Sequence, residues 1–178
     1  MTDPELMQLA RDVDRRCRLR GEFVLRSGQL ASEYFDKYLF EADPRLLGRV
    51  AARMARLLPA DTQLLGGLEL GGVPIATALS QLTGLPALFV RKQPKAYGTR
   101  KLAEGDDPAG KRVTLVEDVI TVGGTVVAAA EGLRALGATV TTVVCAIDRS
   151  AAGESAVTAA GLTMLPVLTK AQLDSVAG

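Results

Sequence analysis

From Gln63 onward the chain alternates short apolar runs with segments of helical periodicity, and few architectures accommodate that rhythm. The runs Gln63–Leu68, Ala87–Arg91, Arg112–Val119, Thr139–Asp148 and Thr163–Leu168 are strand-like. Two of them carry Val113, Leu115, Val116 and Val119, and Val140, Val143, Val144 and Ile147. Apolar runs this continuous mark parallel strands buried on both faces. Helical segments fall between several of them, at Val73–Thr83 before Gly84 and at Thr125–Leu136 before Gly137. Ala151–Ala160, before Gly161, is a weaker helical pattern. Strand and helix in alternation predict an α/β fold, with a central, mostly parallel sheet flanked by helices.

The first third is less regular. Thr2 or Asp3 followed by Pro4 opens a helix with Leu6, Leu9, Ala10 and Val13 on one face. Two extended stretches follow, Glu22–Ser27 and Tyr34–Phe40. Asp43-Pro44 then begins a second helix, on which Leu46, Leu47, Val50, Met54 and Leu57 repeat at helical spacing. At roughly 150 residues per domain, 178 residues suggest one domain.

What the chain lacks removes whole classes of chemistry. It has no His, so Ser-His-Asp triads, Cys-His pairs and His-based metal sites are excluded. Its two cysteines, Cys17 and Cys145, are too few for a structural zinc site and read as core residues of a reducing compartment. With 21 Lys and Arg against 20 Asp and Glu, the net charge of +1 argues against a nucleic-acid partner. No apolar run reaches the ~18 residues of a membrane span, and the N-terminus lacks a signal-peptide layout. A soluble, cytoplasmic protein with no membrane partner is expected.

Two segments carry candidate chemistry. Between Arg91 and Val113 lies KQPKAYGTRKLAEGDDPAGKR, expected to form a long loop. Such a loop is a tolerated insertion or a functional lid. Its cluster of Arg91, Lys92, Lys95, Arg100 and Lys101 favours an anion-binding lid. The second segment is Val113–Thr125, VTLVEDVITVGGT, where a strand runs through Glu117 and Asp118 into a Thr- and Gly-rich turn before a helix. In open parallel sheets ligands bind beyond the carboxyl ends of strands. Gly123 and Gly124 allow close backbone approach, the helix N-terminus favours an anion, and Thr121 and Thr125 add hydroxyls. Carboxylates beside such a seat suit hydroxyl donors or a hydrated Mg²⁺, and a phosphate with a diol beside it describes a ribose 5-phosphate. A plain strand-to-helix turn with an exposed acid pair is the other reading.

VTLVEDVITVGGT resembles the phosphoribosyl-pyrophosphate (PRPP) motif of type I phosphoribosyltransferases. Three further segments resemble orotate phosphoribosyltransferases in particular. GEFVLRSGQLASEYFDKYLF (Gly21–Phe40) is similar to that family's N-terminal hood, VRKQPKAYG (Val90–Gly98) to its catalytic loop, and AIDRSAAGE to its orotate-binding stretch. The resemblance implies the type I fold, with about residues 1–60 as a helix-and-hood region and about 61–178 as the α/β core. It implies catalytic roles for Lys95, Glu117 and Asp118. Arg26, Arg91, Lys92 and Lys95 would bind PRPP as cations. Glu117 and Asp118 would hold the ribose hydroxyls, Val119 and Ile120 would also contact PRPP, and Thr121, Val122, Gly123, Gly124 and Thr125 would hold the 5-phosphate. Thr121, Arg149 and Lys37 would bind orotate.

GGLELGGVPIA (Gly66–Ala76) resembles the family's diphosphate loop, here Glu69, Leu70, Gly71 and Gly72, although a tight turn for close packing would use the same glycines. The resemblance also implies a cis peptide at Glu69–Leu70. Two positions depart from the family pattern: Leu70-Gly71 stands where Tyr-Lys is frequent, and Tyr97 where His is common. The implied reaction joins PRPP and orotate into orotidine 5′-monophosphate and diphosphate. It would use Mg²⁺ held mainly by PRPP and water rather than by protein ligands. A homodimer is implied as well, with the 91–110 loop reaching the neighbouring site. A transferase for another base and a PRPP-sensing regulator would share the motif. Arg149 favours an acidic base over a purine, and retention of both acid pair and loop cations favours an enzyme over a regulator.

Overall fold

The computed structural model describes residues 3–24, 28–94, 101–150 and 156–177. The first helix, α1 (Pro4–Cys17), starts where Asp3 accepts hydrogen bonds from the Glu5 and Leu6 N–H groups, with Pro4 in the first turn. It buries Leu9, Ala10, Val13 and Cys17. Burying a Leu or Val side chain of this kind contributes roughly 1.5–3 kcal/mol. The chain passes directly into β1 (Arg18–Val24), which pairs antiparallel with β2 (Leu30–Phe35). The expected extended stretches therefore differ from those observed. The first begins earlier, at Arg18, and its end at 25–27 lies outside the described residues.

The second expected stretch needs a correction. Tyr34 and Phe35 end β2, but Tyr38–Glu41 form a helical turn, α2, instead of continuing the strand. An Asp36 carboxylate that accepts the Tyr38 N–H bends the chain there, and Phe40 turns into the core. Next comes α3 (Pro44–Ala55), capped by Asp43 through the Arg45 and Leu46 N–H groups.

The core sheet follows in the expected order. Its elements are β3 (Leu64–Leu68), α4 (Gly72–Thr83), β4 (Ala87–Val90), β5 (Ala103–Gly105), β6 (Arg112–Ile120), α5 (Gly124–Ala135), β7 (Thr139–Asp148), α6 (Ala156–Ala159), β8 (Thr163–Thr169) and α7 (Lys170–Asp174). The six strands run β5-β4-β3-β6-β7-β8 and are parallel except where β5 pairs antiparallel with β4. The long stretch after Arg91, expected to be loop, thus contains an edge strand; Ala103 and Glu104 are recruited by the open edge of β4. Positions 95–100 and 151–155 lie outside the described residues, as does most of the expected catalytic loop tip.

Side chains alternate across the sheet to build two cores. Leu65, Val116 and Val144 join α1, α3 and α4 on one face. Leu64, Leu115 and Val143 join α5 and α6 on the other. Among the described residues no helix is long and apolar enough to cross a membrane.

Candidate active site

The carboxyl ends of β3, β4, β6 and β7 lie side by side, as parallel pairing of adjacent strands requires. Each sends a short connection over the same end of the sheet. At the end of β6, Asp118 is fully buried and Glu117 nearly so. Glu117 accepts the Asp118 backbone N–H at 3.1 Å, and Asp118 accepts that of Val119. The turn beyond exposes Thr121, Val122, Gly124 and Thr125. Gly123 holds φ +87°, a left-handed value that favours glycine, and a Cβ there would lie 2.5 Å from Val157. No side chain caps α5, so its first N–H groups face outward at the positive end of a 12-residue helix. That arrangement is suited to a phosphate monoester.

The second Gly-rich turn joins β3 to α4. Its Glu69–Leu70 peptide is cis, as expected. The Glu69 carboxylate accepts the Lys92 backbone N–H at 2.7 Å, tying this turn to the start of the 91–110 loop. A cavity of about 320 Å³ brings together Glu69, Arg91, Lys92, Gly124 and Thr125 over an apolar floor that includes Leu68 and Val90. Arg91 and Lys92 therefore share one concavity with the start of α5. Within it Arg91 is partly engaged already, with its Nε 3.4 Å from Glu104 on β5.

Lys37 reaches from the start of α2 to place Nζ 2.6 Å from Asp118 Oδ2. Burial works against its charge, but the Asp118 carboxylate outweighs this and raises its pKa. Asp118 is held below the ordinary carboxylate range: burial opposes that, while hydrogen bonding from Glu117 and Lys37 prevails. Burial and the neighbouring Asp118 charge push Glu117 up to about 9, so the acid pair carries one negative charge at neutral pH. Arg149 leaves the end of β7, where its N–H donates to Ile120 of β6 at 2.8 Å. Its guanidinium lies 5.3 Å from the Phe35 ring centroid, and Asp148 is occupied with Ser150.

Of the site residues expected from sequence, the structure gathers Glu117, Asp118, Val119, Ile120, Thr121, Val122, Gly123, Gly124 and Thr125 with Glu69, Leu70, Gly71 and Gly72, Arg91, Lys92, Lys37 and Arg149. Arg26 and Lys95 lie outside the described residues. One residue was missed. Glu41, in α2, is buried beside Asp118 and pushed up to about 8, chiefly by burial and then by that neighbouring carboxylate. Lys37 and Glu41 stand four residues apart, a spacing that joins them on one helical face. The extended reading of Tyr34–Phe40 concealed that signal.

A mostly parallel sheet carrying an acid pair, a phosphate turn and a second Gly-rich turn at one end defines a phosphoribosyltransferase. The family model described as phosphoribosyl transferase domain matches residues 45–159. An orotate phosphoribosyltransferase of Nocardioides sp. is 68% identical over 94% of this chain and 93% of its own. Among solved structures, Mycobacterium tuberculosis orotate phosphoribosyltransferase with inorganic phosphate superposes with a TM-score of 0.84, at 33% identity over 97% of this chain and 99% of that one. The same enzyme with PRPP gives 0.80, at 32% identity over 96% and 99% of the two chains. The chain belongs to the orotate phosphoribosyltransferase family.

Proposed function

We infer that the chain transfers the 5-phosphoribosyl group of PRPP to orotate, giving orotidine 5′-monophosphate and diphosphate in pyrimidine nucleotide synthesis. The observation that carries the choice of base is the place of Arg149, hydrogen-bonded through its backbone to the strand that bears the acid pair. A cation there, with Thr121 opposite, suits the carboxylate that distinguishes orotate from uracil.

In the reaction an orotate ring nitrogen forms a bond to the anomeric carbon, and the carbon–oxygen bond to diphosphate breaks with its electron pair leaving on diphosphate. The ribose becomes cation-like as the leaving group gains charge. Asp118, ionised and excluded from water, is placed to stabilise the sugar, and the N–H groups from Thr121 to Thr125 anchor its 5-phosphate. Arg91, Lys92, Lys95 and Arg26 supply charge to the diphosphate in this reading. Glu117, Asp118 and Lys95 are its catalytic residues.

The donor chemistry fits a Mg²⁺ that arrives with the diphosphate and water. Asp118 is already paired with Lys37, Glu117 holds a proton, and among the described residues no three Cys, Asp or Glu side chains converge on a metal position. Bound in that way the ion would offset the charge of the leaving group. The same reading includes residues 1–60 as hood over a core of 61–178, a cytoplasmic location suited to two free buried thiols, and a homodimer whose 91–110 loop reaches the neighbouring site.

The test mixes the protein with orotate, PRPP and Mg²⁺ and follows orotate absorbance. Loss of absorbance that needs both PRPP and Mg²⁺ is expected. An unchanged spectrum, or equal consumption of uracil, would overturn the assignment.

A further inference from the structure

The turn from Glu69 to Gly72 contains no cation, although it is placed to face a diphosphate. The reason Gly71 stands there is space rather than backbone conformation. Its φ of −68° and ψ of −30° are ordinary helical values open to any residue. A Cβ at Gly71, however, would lie 1.7 Å from Asp118 Oδ2 and 2.8 Å from Glu41 Oε1. Both carboxyl groups therefore border or occupy the volume that a side chain on the turn would fill. The ammonium of Lys37 is 2.6 Å from the same Asp118 oxygen. A cation from the hood thus sits beside the turn at the point where the turn offers none.

We propose that Lys37 is the diphosphate-side cation of the PRPP site, occupying the side of the Glu69–Gly72 turn that Gly71 leaves open, and that Glu41, beside Asp118 at the same turn, sets the charge this site presents. This rests on the phosphoribosyl-transfer reading above and reassigns Lys37 from the base to the leaving group.

The charges support it. Lys37 remains 33% exposed at its side chain, so its ammonium can meet a ligand, whereas Asp118 is 0% exposed. Glu41 is 8% exposed, and its Oε1 has no hydrogen-bond partner. The groups facing Glu41 are Asp118, Lys37 and Asp36, with Glu117 beyond Asp118. With Glu41 and Glu117 both protonated, the charges of Lys37 and Asp118 cancel, so these four side chains together carry no net charge. Were all three acids ionised, the pocket would carry a net negative charge and repel a diphosphate. A carboxyl kept neutral beside Asp118 preserves an anion site next to two other acids.

The experiment is calorimetric titration of the full chain with PRPP plus Mg²⁺ and with diphosphate plus Mg²⁺, alongside the KM for orotate. Lys37→Met should weaken both phosphorylated ligands roughly 10- to 100-fold, the loss typical of one contact to a charged group. The orotate KM should change by less than about twofold, and Lys37→Arg should retain most of the PRPP affinity. In the wild type, PRPP binding should weaken as pH rises from 7 to 9, and Glu41→Gln should make that dependence shallower, leaving the part that Glu117 contributes as it ionises near 9. A Lys37→Met chain that unfolds leaves the Glu41→Gln profile as the deciding measurement. A shift of the orotate KM with PRPP binding unchanged, or an unaltered pH profile in Glu41→Gln, would overturn the proposal. If the wild type binds PRPP but consumes no orotate, the assignment of the reaction fails while this inference stands.

Discussion

The two acids at the end of β6 should respond very differently to removal of their charge. Asp118 is ionised, fully buried and 2.6 Å from Lys37, whereas Glu117 is protonated at neutral pH because Asp118 already holds the charge. Glu117→Gln replaces a neutral carboxyl by a neutral amide of similar shape, so turnover at pH 7 should fall less than about tenfold. Asp118→Asn removes a charge that acts on the sugar. A carboxylate about 5 Å from a developing cation, at an effective dielectric constant near 20, contributes about 3 kcal/mol. That corresponds to a fall in kcat on the order of 10²-fold. The assay is kcat at saturating orotate, PRPP and Mg²⁺ for both variants, with circular dichroism to show that each is folded. Equal losses in the two variants, or a larger loss in Glu117→Gln, would refute the division of charge between them.

Other outcomes follow from groups around this centre. Arg149→Ala should raise the KM for orotate far more than that for PRPP, and equal changes in steady-state kinetics would make Arg149 structural. Glu117 and Glu41 have pKa values raised by burial above those of the unfolded chain, so the stability they confer is complete below pH ~4.5 and is lost as pH rises through about 8 and 9. Thermal melts should therefore show Tm falling from pH 5 to pH 9, with a shallower slope in Glu117→Gln; a rising Tm would contradict the assignment. Cys17 is fully buried with its thiol pushed up to about 12, and Cys145 is raised further by burial. Neither should react with an aromatic disulfide reagent until the protein is unfolded, when two thiols should titrate.

The core elements were legible because their signals are local. β6 and β7 are buried on both faces, which leaves uninterrupted Val and Ile runs, and α4 and α5 end at Gly84 and Gly137, where the chain turns. The strand-to-helix turn after the acid pair was legible for the same reason, since its glycines, threonines and acids adjoin in sequence. What escaped depends on distant partners. β5 has only three residues with Glu104 at its centre, and it is a strand because β4 offers it an edge. Tyr38, Leu39 and Phe40 are apolar enough for a strand, and only Asp36 and the buried seat of Phe40 make them helical. Glu41 reads as one more surface acid until the fold carries Asp118 and Gly71 against it.

The hydrogen bond from the Arg91 N–H to the Leu102 carbonyl, 2.9 Å long, fastens the two roots of the expected catalytic loop at neighbouring points on the sheet edge. Because the ends are pinned by strand pairing, the fold is nearly indifferent to how much chain lies between them. Doubling that length would add only about 0.6 kcal/mol of closure entropy. Changes of length between those two residues should therefore cost the native state little. Lineages of this family should accordingly tolerate different numbers of residues between the strand that ends near Arg91 and the edge strand that begins after Leu102.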